Sequence, residues 1–410
     1  MIYRTTIHAR PTLGSAPRLN EEEQRTVDKR GTRRRTALAG LAAAALVAGA
    51  FAATATAGTG ERDGPPHLPR GTEFYVDPDS GAARQAAIWR REGRAADADL
   101  MDAMASHGQA IWFTTAGADK VRDDVRRVVR AAKAQDRVPV LVAYFVPYRD
   151  CSQWSAGGAR SEQEYKEWID AFAQGIGDEK AVVVVEPDGL ALLTSEPWCT
   201  IGPDEELVPQ RYREINHAVD ALKRGKHTRV YLDAGHSAWQ ALNDYDAGYG
   251  EPRQQSGIVN RLLRGGVTRA DGFALNTSNY RTTEDLVRYG TRVSQCIHLR
   301  GQGATSCPSD AELDALPVHK PGMTHFVLDT SRNGRGHYTP GPGETDWCNP
   351  PGRGLGERPT ANTGVPLVDA FLWVKRPGES DGECQGGPPA GRWWPEQALE
   401  LAKLASPPLR

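Results

Sequence analysis

At residues 181 to 190 the sequence reads AVVVVEPDGL: an apolar run with four valines stops on Glu186, Pro187 and Asp188. Similar endings recur along the chain. Trp112, Tyr144, Asp188, Asp233, Asn276, Asp329 and Lys375 each stand at or just past the end of a β-branched run, where parallel α/β folds assemble ligand sites. Carboxyl groups, an amide, a lysine and tryptophans gathered in one cleft suit acid/base hydrolysis of a sugar polymer, because glycoside cleavage needs one protonated and one ionised carboxyl group. The aromatic rings would stack on the sugars. The chain has no Walker loop, dinucleotide-binding glycine fingerprint, GxSxG or HExxH motif, so nothing in it calls for a cofactor. Asp233 and His236 resemble two ligands of a metal site, but no third ligand has convincing spacing, and no metal is expected.

The elements that must position these residues alternate in type. QAIWF (109–113), VPVLVAY (138–144), AVVVVEP (181–187), TRVYLDA (228–234), GFALNTS (272–278), THFVLDT (324–330) and DAFLWVK (369–375) read as seven strands. Between them, stretches such as DKVRDDVRRVVRAAKAQ and SEQEYKEWIDAFAQGI carry apolar residues at i, i+3 and i+4, the mark of amphipathic helices. Strands and helices in alternation predict a parallel α/β sheet. The near-continuous apolar strands require cover on both faces, so either a closed or nearly closed barrel or a doubly wound sheet follows. Residues 239–257 and 297–324 read as long loops.

The bulk numbers narrow the partners. With 50 basic and 52 acidic residues among 410, the net charge is −2, and the basic footprint that nucleic acid demands is missing. Ten tryptophans and twelve tyrosines outnumber eight phenylalanines, a tilt towards aromatics that bind partly polar ligands. Residues 1–57 read as a polar n-region ending in Arg33, Arg34 and Arg35, followed by a small-residue apolar run with cleavage near Ala57: a secretory signal, with an uncleaved anchor as the alternative. Residues 58–71 form a Gly/Pro-rich linker and 72–405 the folded domain. Export puts all six cysteines in an oxidising compartment. Six cysteines allow 15 pairings, of which loop positions favour Cys151 with Cys199, Cys296 with Cys307, and Cys348 with Cys384.

VVVVEPDGLALL, YLDAGHSAW, ALNTSNY, VLDTSRNGRG, DWCNPPGRGLG and DAFLWVKRPGESDGEC closely resemble, in order, the motifs of glycoside hydrolase family 6, the inverting cellulases. The resemblance covers roughly residues 72–405. It implies a distorted seven-stranded parallel α/β barrel of TIM-like type that hydrolyses β-1,4-glucan with inversion; a monomer is expected. It also implies roles. Asp188 matches the general acid, and a carboxyl group at the mouth of an apolar strand is partly desolvated and so retains its proton. Asp150, in YFVPYRDC, matches the aspartate that raises the acid's pKa and organises the water chain, and Tyr144 matches the tyrosine that presses on the distorted sugar.

Asp381, in GESDGEC, matches the proposed general base, with indirect activation of the water as the alternative in this family. Asp233 matches an aspartate supporting substrate binding, and Lys375 and Glu379 match ligands of sugar hydroxyls. Trp112, Trp239 and Trp347 match stacking platforms; His236 and Asn276, at the same strand ends, complete the expected binding set. Glu186 matches a buried structural carboxylate. One departure stands out: six residues after Asp150 the family places a serine that helps to hold the catalytic water, and here that position is Ala156, beside Ser155. The rest of the catalytic set is intact, so a working enzyme remains the main reading, with a non-catalytic glucan-binding protein as the alternative this substitution supports. The loops after Asp150 and around Asp381 are short, which points to an open cleft and internal cleavage, with a chain-end cellobiohydrolase as the alternative. No separate carbohydrate-binding module is visible, which favours soluble or amorphous glucan.

Overall fold

The structure, a computed structural model, describes residues 68–193, 206–246 and 254–409. Seven strands form one parallel sheet: β1 (Ile111–Phe113), β2 (Val140–Ala143), β3 (Ala181–Val185), β4 (Thr228–Asp233), β7 (Gly272–Leu275), β8 (His325–Asp329) and β9 (Val368–Leu372). A two-residue ribbon, β5 (Tyr245–Asp246) with β6 (Gln254–Gln255), lies between β4 and β7 in sequence. The sheet order β1-β2-β3-β4-β7-β8-β9 follows the chain without reversal. A doubly wound sheet reverses direction at a switch point, so the order decides for a sheet that curls one way, as a barrel does.

The curl does not close by a ladder. Across the seam between the first and last strands, the Ala110 N–H donates to the Trp373 carbonyl at 2.9 Å, and the Trp112 indole N–H donates to the Val374 carbonyl at 2.8 Å. Helices Gly81–Arg91, Ala95–Ala105 and Pro395–Lys403 share with Trp373 an apolar cluster of their own, built around Trp89, Met101, Met104 and Leu401.

Strand residues alternate between two other cores, as the two-residue period of a strand demands. Val140, Val142, Val182, Val184, Ala274, Val327 and Ala370 fill the inside of the curl. Leu141, Val183, Val185, Leu232, Phe273, Phe326 and Leu328 face the helices. The inner set is small because seven strands leave little room. The helix Ala118–Ala134 buries Val121, Val125, Val128 and Ala132 on one face, and Glu162–Ile176, capped by the Ser161 hydroxyl, buries Trp168, Ile169 and Phe172.

Residues 297–324 depart from the expected loop. The helix Thr283–Gly301 continues into them, and a short helix occupies Asp310–Asp314. Leu286, Tyr289, Val293 and Ile297 keep a buried helical stripe running to the end of the first helix, and the Gly and Pro residues beyond it dominate the sequence pattern. Disulfides join Cys296 to Cys307 and Cys348 to Cys384. The expected Cys151–Cys199 pairing involves Cys199, which lies outside the described residues, as do the signal segment and residues 58–67 of the expected linker; Leu68, at the linker's described end, is buried in the inner core.

Candidate active site

The C-terminal strand ends surround a cleft of about 910 Å³. Asp188 is the third residue past β3 and takes a left-handed backbone, φ 66°. Its N–H donates to Asp233 Oδ2 at 3.0 Å, and Tyr144 lies beside its carboxyl group. Burial first, then the charges of Asp233 and Asp150, push the pKa of Asp188 well above the ordinary carboxylate range. Burial raises Asp233 as well. Asp233 is the better anion of the pair, since it also accepts the Gly235 N–H at 3.2 Å, so the proton resides on Asp188.

Asp150 opens a short 3₁₀ turn with φ 58°. Its Oδ2 accepts the Ser155 N–H at 2.6 Å, and burial raises its pKa. The neighbouring Arg149 staples the loop. Its guanidinium donates to the carbonyls of Ser155 (2.8 Å), Ala156 (3.2 Å), Thr114 (3.0 Å) and Tyr144 (2.8 Å) and lies 4.8 Å from the centre of the Tyr144 ring. The chain returns through Gly158, φ 93°, where a Cβ would come within 1.9 Å of the Val146 carbonyl oxygen. Ser155 and Ala156 both line the cleft; it is the backbone of Ser155, not a hydroxyl at 156, that meets Asp150.

On the opposite side Asp381 is buried and saturated. Arg332 Nη1 reaches Oδ2 at 2.7 Å and Lys375 Nζ reaches Oδ1 at 3.0 Å. The Tyr280 hydroxyl (3.1 Å) and the Asn349 N–H (3.0 Å) donate to Oδ2 as well. Burial alone would raise its pKa; the two cations outweigh it and hold Asp381 at about 2. A carboxylate this acidic is anionic throughout the working range and a weak proton acceptor.

Trp112 meets Tyr144 edge to face at 5.3 Å, while Trp239 lies 5.8 Å from His236. Trp347 is 37 % exposed. All five line the cleft with Asp150, Asp188, Lys375, Glu379 and Asp381. His236 accepts the Ala238 N–H through Nδ1, and burial, with Arg281 nearby, lowers its pKa to about 3, so the ring is neutral. Glu379 pairs with Arg376 at 3.0 Å. Two expected binding residues are not in the wall. Asp233 (2 % exposed) and Asn276 (0 %) lie beneath it, the amide of Asn276 donating to the Asp329 carbonyl at 2.9 Å. Their polar groups are taken up in joining strand ends. Glu186 is buried too, accepting the N–H groups of Phe145 and Val146.

Sequence reasoning passed over Arg149, Trp154, Tyr280, Arg332 and Asn349. Trp154 lines the cleft and packs on Gly382, where a Cβ would stand 2.4 Å from its ring. Four of the five sit next to, or inside, the quoted motifs; what was missing was the pairing across 32 to 101 residues of chain. Among the described residues no cluster of three or more His, Cys, Asp or Glu could hold a metal ion, and no helix is long and apolar enough to cross a membrane.

The family model for glycosyl hydrolases family 6 matches residues 69–405. The chain belongs to this family. Endoglucanase A of Cellulomonas fimi is 39 % identical over 333 residues, 81 % of this chain and 61 % of that one; the chain thus spans about three fifths of that relative. Endoglucanase A of Thermobispora bispora is 36 % identical over 369 residues, 87 % of this chain and 68 % of the other. Among solved structures, a Mycobacterium tuberculosis endoglucanase in complex with methyl-cellobiosyl-4-deoxy-4-thio-β-D-cellobioside superposes with a TM-score of 0.65 at 35 % identity, covering 81 % of this chain and 96 % of that one. The glycosyl hydrolase family 6 fold and the parallel curled sheet therefore agree.

Proposed function

We propose that this protein hydrolyses internal β-1,4-glucosidic bonds of cellulose or a related β-glucan, with inversion at the anomeric carbon. The observation that carries this reading is one cleft lined by both Asp188, whose N–H rests on the Asp233 carboxylate and whose pKa burial raises, and Asp381, which Arg332 and Lys375 hold as an anion. The endoglucanase relatives support the substrate class, and the bound thio-oligosaccharide of the structural neighbour supports a glucan chain in the corresponding cleft.

In the proposed reaction the Asp188 proton passes to the glycosidic oxygen as the C1–O bond breaks, and a water attacks C1 from the opposite face. Asp381 stabilises the positive charge that develops on that water. Because it is a weak acceptor, the water's proton moves on through solvent towards Asp150, which restores neutrality. Trp112, Trp239 and Trp347 stack on sugar rings, while Lys375 and Glu379 bind hydroxyls. Residues 72–405 form the exported catalytic domain behind the N-terminal signal.

The test is Asp188→Asn, expected to abolish release of reducing sugar from carboxymethylcellulose while oligosaccharide binding stays measurable by calorimetry. Retained turnover removes Asp188 as the acid. The anomer of the fresh product, followed by NMR, reports inversion, and viscosity falling faster than reducing ends rise reports internal cleavage.

A further inference from the structure

The cleft is carried by one device used twice. Asp233 ends β4 and accepts the N–H of Gly235, two residues on, and of Asp188, three past the end of β3. Asp329 ends β8 and accepts the N–H of Ser331, two residues on, at 2.9 Å, and of Ser278, three past the end of β7, at 3.0 Å. Asp188 and Ser278 share the left-handed backbone, φ 66° and 61°, so Ser278 occupies on one half of the sheet the place that the proton donor occupies on the other.

Asp329 goes further than Asp233. It also accepts the N–H groups of Val374 (3.2 Å) and Lys375 (2.9 Å) beyond β9, so one carboxylate of 1 % exposure ties the ends of three strands. From there a ring of contacts closes. Asp329 holds the Ser278 N–H; the Ser278 carbonyl accepts from Arg332 Nη2; Arg332 and Lys375 both hold Asp381; and Lys375 returns through its backbone to Asp329.

We propose that Asp329 is the positioning residue for the water-activating half of the site, setting where Asp381 stands by fixing the backbones of Ser278 and Lys375. This rests on the assignment of Asp381 above. An exposed or loosely held carboxylate could not do this; a buried one with four N–H donors has a single orientation. A mutation beneath the wall then acts on the chemistry without touching substrate, since Asp329 does not line the cleft.

Asp329→Asn keeps the shape but offers only one acceptor atom, so its amide nitrogen faces N–H groups it cannot bind. We expect kcat on a soluble cello-oligosaccharide to fall by about 100-fold with KM within about twofold. Asp381→Asn is measured beside it, with the double variant. If Asp329 acts through Asp381, the double variant is no more than about threefold below Asp381→Asn alone. If Asp381→Asn keeps full kcat, the assignment of Asp381 fails and the inference goes with it. If Asp381→Asn is impaired while Asp329→Asn keeps its kcat, or the two losses multiply, the inference alone is overturned. Should Asp329→Asn not fold, Ser278→Gly relaxes the same ring while preserving its N–H and carbonyl; a fall in kcat absent from the Asp381→Asn background supports the inference, and an unchanged kcat overturns it.

Discussion

The backbone N–H of Asp188 rests on the carboxylate of Asp233 at 3.0 Å, so two acids on neighbouring strands share one field. An adjacent anion makes Asp188 harder to ionise. Removing that anion lowers its pKa, and the protonated form is exhausted at lower pH. Asp233→Asn and Asp150→Asn are therefore expected to move the alkaline limb of the kcat/KM profile towards acid, Asp233→Asn by more, because its charge acts more strongly on Asp188. A limb that stays in place or moves towards alkali would contradict the arrangement.

A raised carboxyl pKa costs stability once the unfolded chain ionises. Unfolded Asp188 loses its proton near pH 4, whereas the folded group keeps it to higher pH; between the two values the folded state binds more protons, and stability falls as pH rises. Asp188→Asn removes this dependence. The inactive variant should melt above the parent protein, by a margin that grows from pH 4 upwards until folded Asp188 also ionises. Calorimetry at pH 4 and pH 7 checks the sign; an Asn variant that melts lower at pH 7 refutes the account.

Arg149 spends its guanidinium on four carbonyls, three in the segment that carries Asp150 (Tyr144, Ser155 and Ala156) and one, Thr114, just past β1. A lysine ammonium cannot span that fork. Arg149→Lys should lower kcat by about 10-fold or more through a displaced Asp150 and Tyr144, with the melting temperature little changed. Equal kcat would show that the loop holds its shape without the staple.

Cys348 and Cys384 bracket the Asp381 side, since Asn349, next to one of them, gives its N–H to Asp381 and accepts the Asp381 N–H at 2.8 Å. A loop of 36 residues closed by a disulfide is worth about 4 kcal/mol in the chain-entropy model. Cys348→Ser with Cys384→Ser is expected to lower both the melting temperature and kcat. The Cys296–Cys307 pair, far along the chain from these residues, should affect melting alone. Matching kcat losses from the two double variants would sink the distinction.

The strand pattern was legible because each strand is short, apolar and rich in β-branched residues, and the chain visits them in order: all seven runs are strands of one sheet. Residues 297–301 read as the start of a loop because the last turn of the helix Thr283–Gly301 is polar on the outside, although Val293 and Ile297 carry the stripe onward. Motif likeness brought the acids and three of the four tryptophans of the cleft wall to notice. It could not tell wall from foundation. Asp233 and Asn276 carry the same residue types as a binding set, yet their side chains turn inward to satisfy neighbouring backbone groups, and only the fold reveals where a short polar side chain finds its partner. The pairing of Arg332 with Asp381, 49 residues apart, is likewise a property of the curled sheet.

At the seam, where β1 and β9 meet without a ladder, one main-chain bond and the indole of Trp112 do the joining. Elsewhere the ladder fixes the spacing of neighbours at about 4.8 Å; along this line nothing so rigid does. The ring proposed to cradle a sugar thus doubles as the hasp of the fold, and a glucan chain settling on it leans on the one hinge line the architecture leaves unsewn. Width at that end can be retuned by changing a few contacts, with the rest of the sheet left as it is.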